Sequence, residues 1–301
     1  MRLLGDVEIK FETILSNLFH WIIYILFTLM LLFGGYFALR AYAFDQFIIP
    51  TNSMQPTLIP GDRVIVNKFI AGARIYDSYD FSEGVRIQSH RTRGYRTIRT
   101  NDILIFNFPI NWTKNRIEFK INYVYGKRCI GSPGDSISII DGYFYNNNYK
   151  SFLRVQEQQY RLSQIPDSLL QPHLLRAVSP SGLHTKWTIE NFGPLYVPRQ
   201  GDVIKLGSHN HLLYQLIIEF ETGQRLTEDK GVIKLNGIPI EGYIFRKNYY
   251  FLCGDNVLDS NDSRYWGFVP EEFIVGVVTR IVYYRNLLTE EFKWDRWMRK
   301  L

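Results

Sequence analysis

From Trp21 to Leu39 the chain carries no charged side chain. At about 1.5 Å per residue in a helix this run covers roughly 28 Å, close to the hydrocarbon thickness of a bilayer, and it predicts one transmembrane helix over 21–39. Trp21, Tyr24 and Tyr36 stand near its ends, where amphipathic rings prefer the membrane–water interface, and Arg40 closes it. The run is too long for the apolar part of a cleaved signal sequence, and no small-x-small cleavage site follows it. Residues 1–20 set Arg2 and Lys10 against Asp6, Glu8 and Glu12, so charge does not orient the helix.

The rest of the chain reads as β-rich. It has 21 Phe and 20 Tyr among 301 residues, with many Val, Ile and Thr, all residues that suit a pleated, half-buried surface. The net charge of +6 comes from basic residues scattered among acidic ones, and with no base-reading motif this argues against nucleic acid as a partner, which stays a minor option. Cys129 and Cys253 form neither a disulfide framework nor a CxxC metal signature; they are expected as buried free thiols, with a pair between adjacent strands as the alternative.

Strands are predicted at Phe44 to Ile49, Arg63 to Lys68, Ile103 to Phe106, Ile121 to Ile130, Ser136 to Ile140, Tyr249 to Cys253 and Phe273 to Tyr284, with further strands near 202–206 and 231–235. Asp141-Gly142 reads as a hairpin turn. A helix is expected from His211 to Phe220, where Leu212, Leu213, Leu216, Ile217 and Phe220 recur at helical spacing, and His209-Asn210-His211 before it reads as a surface turn rather than a metal site. Residues 74–100, with Arg86, Arg91, Arg93, Arg96 and Arg99, read as a solvated excursion, with lipid headgroups as a second reading. The tail, 286–301, mixes Phe292, Trp294 and Trp297 with basic residues and is either an interfacial helix or a packed end.

Three stretches carry candidate chemistry. Ser53 lies between Pro50 and Pro56, whose fixed φ makes the segment a rigid loop or edge rather than a helix. A serine nucleophile needs a base; none of the six histidines has a motif-like setting and no G-x-S-x-G elbow is present. Lysine can serve if burial keeps it uncharged. Strand alternation puts Lys127 on one face with Tyr123, Tyr125 and Cys129, an apolar neighbourhood for an ammonium group. The third stretch, Gly254 to Gly267, collects Asp255, Asp259, Asp262, Ser260, Ser263 and Arg264; it lacks the glycine and glutamate of a calcium loop and reads as a buried polar network.

Ser53-Met54-Gln55-Pro56-Thr57-Leu58, Gly61-Asp62-Arg63-Val64-Ile65-Val66-Asn67-Lys68, Lys127-Arg128 with Gly131-Ser132-Pro133-Gly134-Asp135, and Gly254-Asp255-Asn256 with Ser260, Asp262-Ser263-Arg264 and Trp266-Gly267 together resemble bacterial type I signal peptidase, a membrane-anchored Ser/Lys protease. The likeness covers about 44–140 and 250–284. It implies a mostly β fold: an antiparallel β catalytic body at 40–142 and 250–285, an inserted β-rich region at 143–249, the short segment 1–20 and the single helix 21–39 in front, and the tail 286–301 behind. It also implies Ser53 as nucleophile, Lys127 as general base, Thr51 in the oxyanion hole, Ser260 orienting Lys127, and Asp262 and Arg264 as a structural pair. Ile49, Met54, Leu58 and Tyr125 match positions lining the pockets for small residues. The implied partners are the signal peptides of exported preproteins and the lipid bilayer, with no cofactor or metal. The implied place is the bacterial cytoplasmic (inner) membrane, with the catalytic part on its periplasmic or outer side. Two rival readings are a tethered scaffold that keeps the fold without catalysis, which both Ser53 and Lys127 argue against, and a soluble self-cleaving Ser/Lys repressor, which the membrane helix argues against.

Overall fold

Most of the strand-forming stretches join one antiparallel sheet in the computed structural model, which describes residues 2–82, 84–85, 87–151, 153, 156–169 and 187–301. The strands of this main sheet and of its neighbour, numbered in chain order, are β1 (Phe44–Ile48), β2 (Asp62–Asn67), β3 (Ile103–Asn107), β4 (Val124–Gly131), β5 (Ser136–Ile140), β6 (Tyr143–Asn146), β7 (Phe192–Tyr196), β8 (Tyr249–Cys253), β9 (Val269–Pro270) and β10 (Ile274–Tyr284). The main sheet has seven strands in the order β1-β2-β10-β3-β4-β8-β9, and every neighbouring pair is antiparallel. The second sheet has the order β6-β5-β7. The fold is mostly antiparallel β behind one apolar helix, as the sequence reading expects.

All of β3 is buried, which is why it reads as a continuous apolar run instead of an alternating one. Leu104 and Phe106 belong to the larger core, whereas Ile103 and Ile105 belong to a smaller one with Val64 and Val66 of β2 and Val275, Val278 and Ile281 of β10. The sheet therefore has apolar packing on both faces. Across the Asp141-Gly142 turn β5 pairs with β6, and on its other edge with β7, not with the main sheet. Cys129 and Ile130 of β4 share a core cluster with Ile137, Ile139, Phe192 and Leu195, so the two sheets pack through one apolar interior.

The first helix, α1 (Arg2–Tyr42), is longer than the predicted 21–39 because the polar residues before Trp21 continue it without a breaker. Its segment Ser16–Tyr42 contains an 18-residue window with a mean hydropathy of 2.2 and is long and apolar enough to cross a membrane; among the described residues none buries that window. At its end the Lys68 ammonium donates to the Arg40 carbonyl at 2.5 Å, and Asp45 pairs with both Arg40 and Lys68.

Further along are α2 (Gln156–Ser163), α3 (His211–Thr222) and the single turn α4 (Ser263–Trp266). α3 buries His211, Tyr214, Ile217, Ile218 and Glu221, a stripe displaced from the predicted one. Glu221 shifts it by accepting from the hydroxyls of Tyr243 and Tyr249 and from the backbone N–H groups of Arg246 and Lys247. His211 is thus not in a surface turn: it is buried, with Nε2 3.6 Å from Glu228.

The excursion 74–100 is not wholly solvated either. Arg74–Tyr76 pairs with Ser89–Arg91, Arg91 donates to the carbonyls of Gly72 and Glu271 at 2.8 Å, and Arg96 makes a two-point pair with Asp102. Arg93 and Arg99 are exposed, and Arg86 lies outside the described residues. The tail is a packed end: the N–H groups of Ile281, Met298 and Leu301 bond across to Arg299, Val282 and Thr279, laying it along β10. Trp294 and Trp297 remain exposed.

Candidate active site

Ser53 stands on a single 3-10 turn, Asn52–Met54, where the sequence reading expects a rigid loop or edge rather than a helix. The turn is closed by the N–H of Gln55 on the Asn52 carbonyl and that of Leu58 on the Met54 carbonyl, both at 2.9 Å, and is anchored by Met54 and Leu58 in the smaller core. Prolines exclude a regular helix here but allow one tight turn between them. Ser53 is half-buried and Thr51 exposed; their hydroxyl oxygens lie 3.3 Å apart.

Lys127 sits in β4 opposite Leu104 of β3, 2% exposed, with its Nζ 2.5 Å from Ser53 Oγ. Two residues 74 positions apart meet because β4 carries the lysine to the end of its pairing with β8, where that strand leaves the sheet for the 254–262 loop. Burial holds the Lys127 pKa below its ordinary value; Asp262 and Cys253 oppose the shift, and Arg264 adds to it. An amine disposed to lose its proton, within hydrogen-bond reach of a hydroxyl, is the geometry of a base and a nucleophile.

The Gly254-to-Gly267 stretch folds over this pair. The N–H of Asn256 donates to the Ser53 carbonyl at 3.1 Å and its side chain to the Asn52 carbonyl at 3.3 Å. Gly254 is in close contact with both sides: a Cβ added there would lie 2.4 Å from the Ser53 carbonyl oxygen and 2.2 Å from Ser260 Oγ. Ser260 Oγ is buried with no hydrogen-bond partner among the described residues, so the structure brings this serine to the site without a bond to Lys127.

Asp262 and Arg264, both 0% exposed, form an ion pair at 2.9 Å. Asp262 also accepts from the N–H groups of Gly254 and Arg264, while Arg264 donates to the Val257 carbonyl. Burial alone raises the Asp262 pKa, but Arg264 first, then Lys127 and the Gly254 N–H, bring it below the ordinary carboxylate value. The pair fixes the loop that covers the serine.

The four expected pocket residues belong to two packed clusters. Ile49, Met54 and Leu58 lie together in the smaller core, Met54 and Leu58 1% and 0% exposed. Tyr125 packs on the larger core, stacked on Phe108 at 4.8 Å. Sequence reasoning gave no role to Arg128, whose guanidinium pairs in the interior with Asp255 at 2.6 and 2.7 Å and donates to the Asn101 carbonyl. A charged residue in a buried strand next to Lys127 was the available signal; its partner was hidden among three aspartates of the last motif. Asn256 was equally visible as a residue and invisible as a contact.

The family model described as signal peptidase, peptidase S26, matches residues 18–283. The signal peptidase I of Buchnera aphidicola subsp. Acyrthosiphon pisum is 30% identical over 256 residues, covering 83% of this chain and 71% of that protein. That of Buchnera aphidicola subsp. Baizongia pistaciae is 29% identical over 275 residues, covering 86% and 75%. A crystal structure of a signal peptidase I from Enterococcus faecalis V583 aligns with 61% of this chain and 97% of its own at 18% identity and a TM-score of 0.30.

Proposed function

The chain belongs to the signal peptidase family of peptidase S26, serine endopeptidases, and on that premise we propose that it removes signal peptides from exported proteins with Ser53 as nucleophile and Lys127 as general base. The observation that carries this reading is the 2.5 Å approach of Lys127 Nζ to Ser53 Oγ together with the burial of the amine. Uncharged, the amine takes the seryl proton as Oγ attacks the scissile carbonyl carbon. The tetrahedral oxyanion is held by the Thr51 hydroxyl and the Ser53 backbone N–H. As the C–N bond breaks, the lysine returns the proton to the leaving amine; it then deprotonates the water that hydrolyses the Ser53 ester.

Ser260 aims the amine in this scheme, its unpartnered buried hydroxyl being the support for that role. Asp262 and Arg264 hold the loop that carries it. Ile49 and Tyr125 shape the ends of the pocket for a small side chain, with Met54 and Leu58 supporting it from behind. The catalytic body is 40–142 with 250–285 and the insertion 143–249, and α1 anchors both in the bacterial cytoplasmic membrane with the site on the outer face. The apolar, unburied segment Ser16–Tyr42 supports that anchoring.

The test sets purified full-length protein in detergent against a signal-bearing precursor, beside Ser53→Ala and Lys127→Ala. The proposal expects precursor cleavage by the parent protein and none above background by either variant. Cleavage by Ser53→Ala at the parent rate overturns it.

A further inference from the structure

Thr57, four residues past the proposed nucleophile, lies between two buried guanidinium groups. Arg128, the strand neighbour of Lys127, reaches its hydroxyl at 3.3 Å, and Arg296 donates to its carbonyl oxygen at 3.0 Å. Arg296 comes from the tail, beyond residue 283 where the family match ends. It is 5% exposed and also grips Asp62, Nε donating to Oδ1 at 2.7 Å and Nη2 donating to Oδ2. Asp62, 0% exposed, in turn accepts the N–H of Ile59 at 2.8 Å.

One ion pair therefore ties the loop at Thr57 and Ile59 to the start of β2. The Leu58 N–H on the Met54 carbonyl passes that constraint back to the turn bearing Ser53. A guanidinium can hold a carboxylate on two nitrogens and a carbonyl on one of them in a fixed plane, which an ammonium cannot.

We infer that the tail is a brace for the nucleophile loop, with Arg296 as its positioning residue. This rests on the reading of Ser53 as nucleophile. The β10 pairing of residues 298–301 holds the brace in place, and the fork of Arg296 sets where the Ser53 turn stands relative to Lys127. A loop freed at Thr57 still binds substrate but presents Oγ to the amine less often.

The test compares Arg296→Gln and the milder Arg296→Lys with the parent full-length protein in detergent, using a signal-peptide substrate and amide hydrogen exchange. The expected result is a fall in kcat of about tenfold to a hundredfold for Arg296→Gln, with KM held within about twofold and Arg296→Lys falling between. Exchange is expected to rise at residues 58–62 and stay unchanged in α3. Parent-like kcat, or a rise in exchange spread evenly over the sheet, overturns the brace. Ser53→Ala, run alongside, reports on the nucleophile separately: if the parent cleaves no better than it does, that reading fails, and the exchange at 58–62 alone decides the brace.

Discussion

Lys127 is the residue where fold stability and the proposed chemistry oppose each other. Burial disfavours its ammonium form in the fold, so its folded pKa is lowered and the unfolded chain binds the proton more tightly. The resulting penalty is in full force below the folded pKa and fades as pH rises toward the ordinary lysine value. Lys127→Met is therefore expected to melt above the parent protein at neutral pH, with the gap narrowing on the alkaline side; a gap that widens with pH contradicts the burial argument. Arg128 gives the opposite outcome. Arg128→Gln leaves the Asp255 carboxylate buried with its ion pair broken and is expected to cost about 3 to 5 kcal/mol in denaturant unfolding. Ser53 and Lys127 stood out in the sequence through the motifs they share with the family; the prolines and the strand alternation alone do not single them out. The partners of Arg128 and Arg296 were not legible, since an ion pair between residues 127 or 234 positions apart leaves no local pattern.

At the scale of elements, the main sheet was legible because each strand carries its own apolar pattern, and β3 is the clearest case. What the pattern does not carry is partner choice. β5 looks like any other strand of the body, yet its hairpin partner and β7 draw it into the second sheet. α3 was found with its start in the right place, but an apolar count alone misjudged which face is buried, because Glu221 is paid for inside by two tyrosine hydroxyls and two backbone donors. The 254–262 loop makes a sharper prediction. Gly254→Ala inserts a methyl group where the Ser53 carbonyl and Ser260 Oγ already lie. Moving either by about 1 Å is expected to lower kcat by roughly a hundredfold and, through overpacking, to lower the melting temperature as well; parent-like kcat removes the claim that this loop sets the serine.

At the scale of the whole molecule, the apolar segment of α1 is unburied among the described residues, while the body has its own cores on both faces of the main sheet. Removing residues 1–42 is expected to leave kcat on a short soluble substrate within about threefold, while cleavage of a vesicle-bound precursor falls at least tenfold as the shared surface no longer concentrates the two. Equal losses on both substrates contradict that division of labour. The central claim concerns the proton on Lys127, and the pH dependence of single-turnover acylation at Ser53 tests it most directly. The expected profile rises with pH through one group titrating below the ordinary lysine range, then levels off, and in Lys127→Met the acylation is lost. A profile that keeps climbing to the ordinary lysine pKa, or one that survives in Lys127→Met, contradicts it.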